Sequence, residues 1–241
     1  MIDWLKRHPG EAPSIELGGQ SLPIVVRRLA HARRMTLRLA PDGSEVRISI
    51  PRWGRTAEAL AFVHSRADWL AQQYAALPGT QAPEPGGTLA YRGRLLGIEH
   101  APQAPRRAVL CGDAIRVGGP AEALPRRLRR WLEMEARAVF SADLADYCAL
   151  ACRPVPGLAL SGARRRWGSC APDGAIRINW RLIMAPDFVR RSVVAHEVAH
   201  LVHFDHGPGF HALLGELFEG DLAAANRWLK HEGRTLYAPF G

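Results

Sequence analysis

Lysine is almost missing from this chain. Lys6 and Lys230 are the only two among 32 basic residues, so arginine carries nearly all of a formal charge of +9. A preference for arginine codons across a genome gives that result, and so does a basic face for nucleic acid or an acidic substrate. Thirteen basic residues stand against nine acidic ones up to residue 105, and nineteen against fourteen after it. That even spread favours the compositional account. The four cysteines, Cys111, Cys148, Cys152 and Cys170, include no C-x-x-C pair. Their spacing excludes a disulfide framework and a four-cysteine zinc site. No apolar run reaches the ~18 residues of a membrane helix. The opening stretch MIDWLKRHPGEAP lacks the apolar centre of a signal peptide. A cytoplasmic protein with no membrane partner is expected. Internal repeats and low-complexity tracts are also missing from the sequence.

What is present is ordinary globular material, 47% hydrophobic and 23% charged in 241 residues. That length buries a core without disulfides and allows one large domain or two small ones. Alternating apolar residues in RRMTLRLAPDGSEVRISIP, interrupted at Pro41-Asp42-Gly43, predict a β-hairpin. Thr56 reads as the N-cap of a helix running to about Leu77. After the Pro/Gly-rich connector 78–88, YRGRLLGIEH and AVLCGDAIRVGG read as short strands, the second turning at Gly112-Asp113. A long helix is expected from about Pro125 to Ala151. LALSGARRRWGSC and AIRINWRLIM read as two strands joined by Ala171-Pro172-Asp173-Gly174. Asp187 is expected to cap the helix FVRRSVVAHEVAHLVH, and two further helices run from about Phe210 to Glu219 and from Asp221 to His231. The class is α+β, with a β-rich region over 1–105 that holds one helix and a second region over 106–241.

The chemistry concentrates at His196-Glu197-Val198-Ala199-His200. Histidines at i and i+4 share one helix face, about 6 Å apart, so both imidazoles reach one tetrahedral zinc ion. Glu197 lies about 100° round the helix, where it flanks the metal and serves as general base toward a water. Val189, Val193, Val194, Val198 and Leu201 supply an apolar side, so the motif falls in a buried-helix pattern. Six of the ten histidines follow residue 195.

A third ligand is required. His206 lies ten residues after His196, the offset used where a turned chain returns a third histidine. The glycine that makes that turn is replaced by His203, and the breakers Asp205-His206-Gly207-Pro208-Gly209 offer another place to reverse. His203 itself, an i+7 residue, would sit about 10 Å along the axis from His196 and cannot share its ion. Glu219 is the other candidate, with eighteen residues between it and His200. His211 is a candidate donor to a developing oxyanion.

RRRWGSC, GAIRINWRLIMAP and VVAHEVAHLVHFDHGPGF together resemble the YgjP-like metallopeptidase family, which is related to the SprT-like and WLM zinc proteases. The earlier RRMTLRLAPDGSEVRISIP and the stretch near Trp69 are similar to its N-terminal region. The resemblance implies a zincin-like catalytic fold, with His196, His200 and His206 as zinc ligands and Glu197 as base. The chain departs from similar sequences at Gly207, where they often have Ser, and at His211, where they often have Trp. Arg166, Trp167, Gly168 and Ser169 are candidate substrate-binding residues. A strand beside the metal helix offers its edge to an extended peptide, although the same segment serves equally to pack a hairpin on that helix. Cys170 is read as a buried thiol, with a zinc-masking thiolate as the alternative.

The expectation is a zinc metallopeptidase acting on peptide or protein. One rival is a metal-dependent nucleotide phosphohydrolase in which Arg164, Arg165 and Arg166 clamp phosphate oxygens. The second is a protease delivered to its substrates by a nucleic-acid-binding N-terminal module. That region lacks the interleaved aromatics of direct base recognition.

Overall fold

The structure, a computed structural model, describes residues 13–40, 43–77, 82–164 and 166–240. They fall into two compact units, residues 1–78 and 79–241. Helices and strands mix as expected for an α+β chain.

The first unit is a four-stranded sheet with two helices. Strands β1 (Ser14–Leu17) and β2 (Gln20–Leu29) form one hairpin, β3 (Thr36–Leu39) and β4 (Val46–Pro51) another. The inner strands β2 and β4 run parallel. Alternation puts Ile15, Leu17, Leu22, Ile24, Val46, Ile48 and Ile50 in the core. The β3–β4 hairpin is as the sequence predicts. Pro41 and Asp42 of its expected turn lie outside the described residues, and Gly43 adopts φ +70. The helix expected from Thr56 is two helices, α1 (Thr56–Ser65) and α2 (Ala67–Ala75). Arg55 takes the N-cap position, and the Thr56 hydroxyl instead accepts from Arg28 at 2.7 Å.

The second unit begins with the same arrangement. β5 (Thr88–Tyr91) and β6 (Arg94–His100) form a hairpin, as do β7 (Val109–Cys111) and β8 (Ala114–Val117), and β6 and β8 run parallel. The correspondence extends to residues. Ile24 pairs with Val46 as Ile98 pairs with Ile115. The first hairpin turns at Gly18-Gly19 and its counterpart at Arg92-Gly93, with φ +77 at both second positions. Leu22 and Ile24 match Leu96 and Ile98, buried in both sheets. The topology repeat was invisible in sequence because few side chains beyond these apolar positions and the turn glycine agree.

The long helix α3 (Leu124–Leu150) follows, then β9 (Leu158–Ser161), β10 (Gly168–Cys170) and β11 (Ile176–Asn179). The expected two strands are therefore three. β10 and β11 form the hairpin, while β9 pairs with the far side of β11 in parallel. The run WRLI that follows is a 3₁₀ segment. β10 is an edge of this sheet. The remaining helices are α4 (Asp187–Ala199), α5 (Pro208–Leu217) and α6 (Leu222–His231).

Helix α4 lies in the core by its valines, and its first turns are held by charge. Asp187 does not cap it, since Pro186 takes the N-cap position. The Asp187 carboxylate instead accepts from Arg92 at 2.5 Å and from Arg190. Burial alone would raise the Asp187 carboxyl, but these two guanidinium groups outweigh it and hold it below its usual range. Deeper in, Arg190 donates to Asp143 of α3 at 2.6 Å, with both side chains under 7% exposed. Arg191 joins Asp143 at 3.1 Å to Glu219 at 2.6 Å, and Tyr147 donates to the same Glu219 carboxylate at 2.8 Å.

Removing one partner of the buried pair leaves an uncompensated charge. Asp143→Ala should cost about 3–5 kcal/mol in denaturant unfolding, far more than an exposed pair such as Arg94–Asp113. Asp187 contributes in full above its unfolded pKa of about 3.9, and that contribution is lost as pH falls through the lower folded value. Asp187→Asn should therefore flatten the acid-side fall of Tm relative to wild type, with little change in the shape of the curve near neutral pH.

Candidate metal centre

Helix α4 ends at Ala199, earlier than the sequence suggested. His200 is its C-cap residue, still in αR geometry. The chain tightens at once, with the N–H groups of Val202 and His203 both donating to the Ala199 carbonyl. No described residue between His196 and Gly209 has a positive φ. The reversal needs no glycine at 203 because it starts at the helix end rather than among the later breakers. Asp205 then closes a local turn by accepting from the Gly207 N–H at 3.3 Å, and Pro208 opens α5 at its first position.

This path returns His206 to the helix. One ring nitrogen from each of His196, His200 and His206 lies within 4.8 Å of the others, and these three form the one candidate cation cluster among the described residues. Nε2 of His206 stands 3.3 Å from Nε2 of His196. His200 places Nδ1 at 3.0 Å from the His203 carbonyl. A carbonyl only accepts, so Nδ1 carries the proton and Nε2 keeps the lone pair. Burial, then the neighbouring imidazoles, holds His196 down to about 4, so its ring is neutral at pH 7. Three imidazoles converging on one point fit a borderline divalent ion.

Phe210, which sequence reasoning passed over, is the floor of this cluster. Its ring centroid lies 4.9, 4.6 and 4.7 Å from those of His196, His200 and His206, and it is 1% exposed. An aromatic four residues after a returning histidine, just inside a helix, is a signal too short to read alone.

Glu197 is 5% exposed. Burial raises its carboxyl to about 7, against the opposing pull of Arg166 and of the Cys170 N–H. It reaches that N–H because Gly168 has no side chain: a Cβ there would lie 2.7 Å from both Cγ and Cδ of Glu197. Trp167 stacks on Tyr237 at 5.7 Å. The other candidates fall around these. Ser169 is half-buried on β10, Arg166 and His211 are exposed, and His211 is close enough to lower the His196 pKa. Arg165 lies outside the described residues. Cys170 donates to the Ala171 carbonyl at 3.6 Å, and burial pushes its thiol up, which disfavours a thiolate. Glu219 is bound to Tyr147 and Arg191 on the other flank of α4. His203 is outside the helix, its ring against Gly209 and its carbonyl serving His200.

A cradle of imidazoles beside a buried carboxyl is the kind of site a metal-dependent hydrolase carries. The comparison with known families makes the class narrower. Residues 33–232 match the model described as YgjP-like, metallopeptidase domain, and the chain belongs to that family. The family is one of metal-dependent peptidases. No curated protein and no solved structure matches the chain. Among the described residues, no helix is long and apolar enough to cross a membrane.

Phe210→Ala should cost about 3–5 kcal/mol in unfolding, as for other buried aromatics. It should also weaken divalent-metal binding by about 10–100-fold in a competitive chelator titration, because the imidazoles lose the surface that orients them. Equal metal affinity in the variant would show that the ring only fills space.

Proposed function

We propose that the chain is a zinc metallopeptidase in which His196, His200 and His206 hold the ion and Glu197 is the general base. The observation that carries this reading is the convergence of three imidazoles within 4.8 Å on the helix that presents Glu197. His196, His200 and His206 would hold a zinc ion there, which would supply Lewis-acid polarisation of a carbonyl oxygen and a lowered pKa for the attacking water. Glu197 takes a proton from the attacking water onto its carboxylate and returns it to the leaving amine as the C–N bond breaks. Burial favours the protonated carboxyl, which helps Glu197 hold the transferred proton until the amine leaves.

Peptide is the substrate the neighbouring strand favours. The Asn179 N–H donates to the Trp167 carbonyl, and the Ala171 N–H to the Ala175 carbonyl. Residues 167, 169 and 171 therefore turn their polar groups toward β11, while Gly168 and Cys170 turn theirs to the open edge. The Cys170 N–H is taken by Glu197. The Gly168 groups and the Cys170 carbonyl are left for an extended peptide lying antiparallel along β10. His211, near enough to act on the His196 ring, is the proposed donor to an oxyanion.

Purified protein should contain about one zinc per chain, lost in His196→Ala. Glu197→Gln should keep the zinc and lose about 10²–10⁴-fold in turnover of unfolded protein substrates. Turnover of nucleoside triphosphates in its place would support the phosphohydrolase reading, and absence of stoichiometric metal would sink both. Gly168→Ala separates the base from the metal. It should retain zinc but displace the Glu197 carboxylate, lowering kcat/KM by about 10²-fold.

A further inference from the structure

The sequence left open whether the arginine excess is compositional or a surface, and in the second unit it is locally organised. On α3, Arg126, Arg130 and Arg137 fall within about 40° of one another round the axis and span about 16 Å along it. All three are exposed. They line two clefts that meet at Arg130 and Met134, of about 820 and 700 Å³. The first is completed by Arg106 and Arg107 from the loop before β7, and no carboxylate lines it. In the second, Glu133 is already paired with Arg129 at 2.8 Å. Among the described residues, Arg106, Arg107, Arg126 and Arg130 meet no acceptor, and Arg137 only reaches the Leu158 carbonyl at 3.4 Å.

A further feature points to an anion from outside. Arg126 stands in the first turn of α3 with Arg130 in the next, and no acidic residue is in the first turn. Cations at that end oppose the helix dipole, which costs stability unless a negative partner arrives.

We infer that this arginine-lined channel binds the phosphodiester backbone of nucleic acid, independently of sequence. Guanidinium forks match phosphate oxygens, and a row of them along one line matches a regularly charged strand. The channel's aromatic residues, Trp131 and Trp180, are buried, so it offers no stacking platform for bases and reads backbone charge alone. The interface lies on the α3 face of the second unit, not in the N-terminal β-rich region where the sequence had placed a binding module.

The test is fluorescence anisotropy on the zinc-loaded full chain, with labelled mixed-sequence DNA of about 20 nucleotides, single-stranded and duplex, over a salt series. Wild type should bind with a steep salt dependence. R126Q/R130Q/R137Q should bind at least about tenfold more weakly, with a slope shallower by about 2 to 3. Arg33→Gln with Arg34→Gln, in the first unit, should leave binding unchanged. Should the triple variant lose its thermal transition, Arg130→Gln alone, shared by both clefts, should reduce the slope by about 1. Absent binding, an unchanged triple or single variant, loss in the Arg33/Arg34 variant, or equal competition by polyglutamate at matched charge would each overturn the inference. Because Glu197→Gln should bind as wild type does, failure here is separable from failure of the peptidase reading.

Discussion

Where α4 crosses β10, the Glu197 carboxyl occupies the place that a side chain on residue 168 would fill. The rest of the site follows from that crossing. A carboxyl brought to 5% exposure loses most of its hydration, and the Cys170 N–H returns one hydrogen bond. The contact fixes both the rotation of α4 and its height against the strand. With Glu197 pinned, His196 and His200 point to the side where the chain returns, because they share a face about 100° away. The ion pairs at the helix start restrain the same rotation from the other end. Arg190 reaches Asp143 and Asp187 while Arg191 reaches Asp143 and Glu219, so two consecutive residues are tied to α3 and to the segment after α5.

That arrangement explains what could be read from sequence and what could not. The pair His196 and His200 with Glu197 is legible because helical periodicity fixes which residues share a face. The α+β class, the long helix α3 and the turns at Gly112-Asp113 and 171–174 were legible for the same local reason, whereas those at Gly18-Gly19 and Arg92-Gly93 were not. The third histidine was only half legible, since its return depends on α4 stopping at Ala199, a tertiary outcome with no breaker at that point. Phe210 and Gly168 lay beyond reading for a different reason. Their meaning is contact across the chain: a ring under three imidazoles, and an absent Cβ beside a carboxyl. The two strands expected across 158–183 became three because β9 pairs with β11 in parallel, a non-local choice that alternation does not encode.

The two ββ-ββ arrangements show the same limit from the other direction. Ile15, Leu17, Leu22 and Ile24 stand at the places of Leu89, Tyr91, Leu96 and Ile98, all buried. A repeat specified by apolar alternation and two left-handed turn positions leaves little identity to detect. Their surroundings differ where polar groups enter. Tyr91, where the first sheet has Leu17, stacks on Trp131 of α3 at 5.0 Å and donates to Glu135 at 2.7 Å. Burial, then the Glu135 carboxylate, pushes its phenol up to about 12, so it stays a donor at any physiological pH. The second sheet is thereby fastened to the helix whose far end grips α4.

Helix α3 thus has two charged ends with opposite duties. Its C-terminal half supplies acids, Asp143 among them, that are consumed by the arginines of α4. Its N-terminal half supplies arginines, of which Arg126 and Arg130 meet no acid among the described residues. Acidic residues within reach of an arginine in this unit are matched: Arg94 with Asp113, Arg116 with Glu99, Arg129 with Glu133. Surface pairs of that kind are weak and form wherever a partner is within reach. Cations left without one, along one line and at the unfavourable end of a helix dipole, are the observation on which the proposed phosphate-backbone interface rests.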